Sequence, residues 1–184
     1  VPSLLPPSPL FFNWREEGGL STVTEEGFKV EHVRGHHVHV STPDDASSSR
    51  YNQSLYNFLP KEGVHNFINA WSLEKKYLER KGKKNISIYN ELIWWYSISA
   101  LFAVTFGLLW GWMGVVFFLG QSFFAALALE IINYIEHYGL QRKKDENGIY
   151  ESITKMHSWN SLSSPVLFRI QRHSDHHAHA FRPY

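Results

Sequence analysis

From Ile93 to Ile135 the chain carries no Lys, Arg or Asp, and Glu130 is its only acid, with Gln121 and Asn133 the other strongly polar side chains. A helix rises ~1.5 Å per residue and a hydrocarbon core is ~30 Å thick, so one crossing takes ~20 residues. The stretch is about twice that long. Gly111-Trp112-Met113-Gly114 near its middle offers a turn, and Trp94, Trp95 and Tyr96 at one end with Tyr134 at the other make aromatic belts. The pattern predicts an all-α membrane protein built on a helical transmembrane hairpin, with spans of about 93–111 and 115–135. The alternative, a buried helical pair in a soluble protein, has to hide an uncharged run of unusual length.

Charge then orients the hairpin. Arg80, Lys81, Lys83 and Lys84 flank its entry, Arg142, Lys143 and Lys144 its exit, and the turn carries no cation. Cationic flanks stay in the cytoplasm, so both ends of the hairpin face it in a multi-pass inner (cytoplasmic) membrane. Everything before and after the hairpin therefore shares one compartment and can meet. The overall net charge of +1 gives no footprint for nucleic acid.

The flanks are where the chemistry lies. Residues 1–27 combine prolines with Gly18-Gly19 and mixed charge, and read as an irregular N-terminal segment. Val1 to Leu10, with four prolines, lacks the basic start and apolar centre of a secretory signal, and the N-terminus reads as truncated or processed. Residues 41–49 read as turn and loop. Residues 54–81 suggest an amphipathic helix, broken near Pro60 and Gly63, able to lie on a membrane surface.

Two histidine clusters bracket the hairpin. Glu31-His32-Val33-Arg34-Gly35-His36-His37 puts His32 and His36 one helical turn apart, with Gly35 able to loosen the helix so that His37 swings round to join them. In Gln171-Arg172-His173-Ser174-Asp175-His176-His177 the three histidines share a helical face and can aim three imidazoles at one place. His137, on one face with Glu130 and Asn133, stands at the mouth of the second span. These seven histidines are the candidate metal ligands, in two sites or one shared cage. Glu31, Glu136 and Asp175 each adjoin a candidate ligand and could accept its free ring N–H, with direct ligation a competing role for Glu136. Glu130 is a further candidate, because an acid inside a membrane is costly unless paired; a protonated carboxyl, or one hydrogen-bonded to a neighbouring helix, is its simpler role. His39, His65, His157 and His179 are read as ordinary surface or core residues. With no cysteine in the chain the donors are nitrogen and oxygen, which suits iron, copper or zinc.

The segments Glu31 to Pro43, Asn133-Tyr134-Ile135-Glu136-His137-Tyr138-Gly139-Leu140 and Gln171 to Ala178 closely resemble the integral-membrane alkane hydroxylases, relatives of the membrane fatty-acid desaturases. The resemblance covers about Phe28 to Tyr184, so residues 28–184 are expected to form part of a membrane di-iron hydroxylase domain. It implies two non-haem iron ions held by the seven histidines, O2 as oxidant, and electrons from rubredoxin and its reductase. The substrate implied is an alkane, hydroxylated at its terminal methyl after entering from membrane lipid. Phe117, Phe118, Phe123, Phe124 and Leu127 are then candidates for a substrate channel, lipid contact being the alternative. That family carries an earlier histidine pair, no such pair precedes His32 here, and residues 1 to about 20 do not resemble its upstream region. Other readings within reach are a desaturase, a hydroxylase of xylene-like side chains, and a non-catalytic membrane metal-binding fragment.

Overall fold

The computed structural model describes residues 26–160 and 173–178, and these are helical with no strand among them. In chain order they form α1 (Glu26–Glu31), a π-helical turn (His32–His36), α2 (His37–His39), α3 (Leu55–Arg80), α4 (Glu91–His137), a 3-10 turn (Lys155–His157) and α5 (His173–Ala178). The irregular segment expected over residues 1–27 lies almost wholly outside the described residues.

Local chemistry sets the helix ends. The Ser54 hydroxyl accepts the Asn57 N–H at 3.3 Å and starts α3. At the other end Gly82, at φ +65°, lets Lys83 N–H reach the Leu78 carbonyl at 2.9 Å while its own N–H takes that of Glu79, which is a Schellman closure. The basic run before the apolar stretch is thus a helix stop. The break expected near Pro60 and Gly63 is absent, and α3 runs unbroken for 26 residues. Pro60 sits early in the helix, where it removes one backbone bond without halting propagation.

Helix α4 contains the expected turn. Gly111 leaves helical geometry at φ 66°, ψ −157°, a region open almost only to glycine. Beyond it the chain doubles back. Phe106 stacks on Phe117 at 6.0 Å and meets Phe118 at 5.6 Å between ring centroids, contacts that a straight helix would hold ~15 Å or more apart. A Cβ on Gly114 would run into the Phe106 carbonyl, so only glycine lets the two arms close there.

Helix α3 bridges the two arms. Trp71 stacks on Tyr96 of the first arm at 5.9 Å, and Phe58 packs edge-on against Tyr134 of the second at 5.2 Å. A straight 47-residue helix would be ~70 Å long and could not lay both ends on one 26-residue partner, so the reversal at Gly111 is what joins the arms to α3. Val30, Ala70 and Leu92 form a small core where α1, α3 and α4 meet. Only 11% of the most apolar window of α4 is buried, and Leu108, Trp112, Phe123 and Phe124 face outward. A soluble helical pair would bury them. Among the described residues α4 is the one helix long and apolar enough to cross a membrane.

Candidate metal centre

The loop of residues 40–54 straps the first histidine cluster to the end of α4. Ser49 Oγ donates to the Tyr134 carbonyl at 2.6 Å, Tyr134 Oη donates to that of Gln53 at 2.6 Å, and the backbone N–H groups of Gly139 and Arg142 reach Ser49 and Ser41 at 2.9 and 2.8 Å. His36 and His137 are 101 residues apart in sequence, and their Nε2 atoms lie 3.1 Å apart. Segment α5 closes over both.

All seven sequence-predicted histidines gather into two groups, though the groups do not follow the two clusters. His36, His137, His173 and His177 form one, fully buried; His32, His37 and His176 form the other, half-buried. The π-turn divides the first cluster. His37 N–H reaches the His32 carbonyl five residues back, so His32 and His37 share a face and their Nε2 atoms lie 3.1 Å apart, while His36, stacked on His32 at 5.0 Å between ring centroids, aims its Nε2 at His137 and His177. The loosening expected at Gly35 does bring His37 to His32, and the expectation is corrected only for His36, whose Nε2 belongs to the other group. In α5 the expected convergence of three imidazoles on one place also gives way. His173 and His177, a turn apart, enter the buried ring with Nε2 atoms 2.8 Å apart, and His176 joins His37 at 2.9 Å.

Around the buried ring the remaining Nε2 separations are 3.1 Å for His137 to His173 and 3.2 Å for His177 to His36. A flat ring of that size has a centre ~2.1–2.2 Å from each nitrogen, close to the bond length between imidazole and a first-row transition metal. The tautomers fit the same conclusion. His36 Nδ1–H donates to Asp45 Oδ2 at 2.8 Å, and His137 Nδ1–H donates to the His157 carbonyl at 3.2 Å. With both rings neutral, each presents a bare lone pair at Nε2. Two lone pairs 3.1 Å apart repel each other unless a proton or a metal cation lies between them, so the neutral donor set fits a metal.

Burial first, then the neighbouring rings, holds His32, His173 and His177 well below the ordinary imidazole pKa and brings His137 and His37 to about 3. Neutral imidazoles are what metal ligation requires. Burial lowers His36 too, but the Asp45 carboxylate, joined by the charges of Glu31 and Glu130, outweighs it, so this ring moves the other way. Asp45, also held by Ser48 Oγ–H at 2.5 Å and Ser47 N–H at 3.1 Å, fixes that ring.

The predicted carboxylates differ in placement. Glu136 Oε2 lies 3.3 Å from His173 Nε2, the nitrogen that faces the ring, and its Oε1 is buried without a partner. That position suits a ligand better than an acceptor for a distal ring N–H. Burial raises its carboxyl to about 8. Glu31 accepts from Asn69 Nδ2 at 3.2 Å, and a Cβ on Gly35 would come within 2.5 Å of its Oε1. Asp175 pairs with Lys155 at 2.6 Å. Glu130 accepts from Asn66 at 3.3 Å and Asn133 at 3.2 Å, the neighbouring-helix bonding given as its simpler role.

His39 and His65 are exposed as expected, and His179 lies outside the described residues. His157 is buried and acts through its carbonyl, which accepts from His137 and, at 2.9 Å, from Ser41 Oγ. Asp45 was missed in the sequence, where it reads as one more residue of a turn. Of the five channel candidates Phe118 is buried, Leu127 is partly covered, and Phe117, Phe123 and Phe124 point outward. A cavity lined by Phe106, Trp110, Met113, Gly114 and Phe117 opens at the hairpin bend, and the arm from Gly114 to His137 measures ~35 Å.

A family model described as fatty acid desaturase matches residues 10–184. The chain is 76% identical over 184 residues to alkane 1-monooxygenase 2 of Alcanivorax borkumensis, covering 98% of this chain and 48% of that protein. It is 62% identical over 168 residues to alkane 1-monooxygenase 2 of Pseudomonas aeruginosa, covering 90% of this chain and 45% of the relative. The xylene/toluene monooxygenase hydroxylase component of Pseudomonas putida is more distant, at 28% over 155 residues, 80% of this chain and 40% of that protein. These matches reach into residues 1–20, so the expectation that this segment has no counterpart is corrected. The chain spans about half the length of the curated relatives it matches.

Proposed function

The chain belongs to the fatty acid desaturase family, and on that premise we propose that it is part of a membrane non-haem di-iron monooxygenase that hydroxylates the terminal methyl of alkanes with O2. Residues 28–184 contribute to its catalytic domain, with spans at about 93–111 and 115–135 in the inner membrane and the histidines on the cytoplasmic side. The observation that carries this reading is the grouping of seven imidazoles into a buried set of four and a half-buried set of three, taken with the 76% identity to an alkane 1-monooxygenase. The lower identity to the xylene/toluene component favours an alkane over an aromatic side chain.

In this reading His36, His137, His173 and His177 hold one iron, and His32, His37 and His176 contribute to the second, with Glu136 at the edge of the buried ring. The irons supply the binding and reduction of O2. The chain's own residues do the rest. Asp45 and the His157 carbonyl fix two rings in the tautomer that turns Nε2 inward. The strap of residues 40–54 and α5 cover the buried group and exclude water, which protects a reaction at an inert C–H bond from side reactions. The apolar arms of α4 let substrate approach through lipid. Rubredoxin, recharged by its reductase, delivers the two electrons that each turnover consumes.

The test is to supply the iron-loaded, full-length protein in membranes with an n-alkane, O2 and reduced rubredoxin. A 1-alkanol is the expected product. An alkene would reassign the site to desaturation, and no product in an iron-replete preparation would favour a non-catalytic metal-binding role.

A further inference from the structure

A second polar cluster lies between α3 and the second arm of α4, apart from the histidine rings. Glu62 is 1% exposed, and no donor meets either carboxyl oxygen at full hydrogen-bond geometry, with Glu130 and Ser47 as its polar neighbours. Glu130 is its neighbour across the helix interface. The two acids differ in what surrounds them. Both oxygens of Glu130 receive amide N–H groups, Oε1 from Asn66 and Oε2 from Asn133. Donors of that kind stabilise a carboxylate, and a buried carboxyl that receives none is stable only as the neutral acid. Two facing carboxylates in so dry a place would also repel strongly.

We propose that Glu62 and Glu130 hold one proton between them, Glu62 as the acid and Glu130 as the carboxylate, and that Glu62 is a proton donor to the histidine site. The part concerning donation rests on the hydroxylase reading. There, RH + O2 + two electrons + two protons give ROH + H2O: a C–H and the O–O bond break, and one oxygen atom leaves as water with two protons that must reach a site closed to solvent. Rubredoxin supplies the electrons. The cluster borders that site, because the Ser47 hydroxyl lies beside the Glu62 carboxyl while the Ser47 backbone N–H holds the Asp45 carboxylate that accepts from His36. Desolvation, and after it the charge of Glu130, raises the Glu62 carboxyl to about 11, in accord with this geometry.

Infrared spectroscopy of the resting, full-length protein in membranes tests the shared proton without turnover. A protonated-carboxyl band that shifts in 2H2O and is lost in Glu62→Gln is expected; its absence from the wild type, or its persistence in the variant, overturns the proposal. Gln copies the neutral acid and can donate to Glu130, so Glu62→Gln should keep the wild-type Tm and iron content. A metal ion beyond the two irons that disappears in Glu62→Gln would show a cation in place of the proton. Glu130→Gln, which removes the neighbouring charge, should let Glu62 ionise at lower pH. Turnover in Glu62→Gln should fall ~10²-fold or more, the scale of a positioned general acid, and undiminished turnover would remove the donor role. If the wild type makes no alcohol either, it is the hydroxylase reading that fails, and the band still decides the shared proton.

Discussion

Asp45→Asn is the substitution most closely defined by the geometry. The carboxylate accepts three donors: His36 Nδ1–H at 2.8 Å and Ser48 Oγ–H at 2.5 Å, both on Oδ2, and Ser47 N–H at 3.1 Å on Oδ1. An asparagine has one acceptor oxygen. If its oxygen takes the Oδ2 position, its NH2 faces the Ser47 N–H; if reversed, the NH2 faces the His36 ring. Either way a buried donor is left unmatched, at a cost of ~1–3 kcal/mol. The ring also loses the charge that fixes its tautomer, and such losses weaken metal binding ~10–100-fold, or ~1.4–2.7 kcal/mol. Chelator-competition titration of the full-length protein reads this directly. The exposed neighbour serves as control, so Asp44→Asn should leave affinity unchanged. Unchanged affinity in Asp45→Asn would refute the assignment.

Acid should undo the metal-free protein in a defined window. His37 and His137 titrate at 6.5 when unfolded and at about 3 when folded, chiefly through burial. The stability they contribute is present above about 6.5 and is lost as pH falls from there toward 3, because the unfolded chain takes up their protons first. His36, raised by Asp45, works in the opposite sense, one ring against six. Tm of the stripped protein should drop between pH 7 and 5, and a flat profile would contradict the buried, neutral rings. Gly111→Ala meets no atom within 4 Å, so its expected loss of ~1–3 kcal/mol is backbone strain alone, and an unchanged Tm would remove the special role of that turn. His65→Ala, at an exposed site on α3, should change stability by less than ~0.5 kcal/mol and leave metal content intact.

The hairpin was legible because its signal is local: a run without Lys, Arg or Asp twice the length of a crossing, with glycines at its centre. The seven histidines were legible as residue types in clusters, and the reversal within α4 brings the clusters together. Their division was only half legible, because Gly35 signals the loosened turn that brings His37 to His32, while a 3.6-residue period keeps His36 with that pair and nothing in the letters sends its Nε2 to the other group. Asp45 was hidden for another reason. In a loop rich in serine and aspartate its side chain looks like turn chemistry, and only the strap's bonds to the end of α4 bring it to His36. His157 escaped because its contribution is a carbonyl, which every residue has. Pro60 misled because its penalty is one bond, small against 26 residues of helix packed on two partners.

The division of the histidines into four and three is most directly tested by counting iron in the full-length protein and in two single variants. Two irons per chain are expected in the wild type. His176→Ala should lose the half-buried iron and keep the buried one, and His36→Ala should lose the buried one. Two irons retained in both variants, or both lost together in each, would contradict the account.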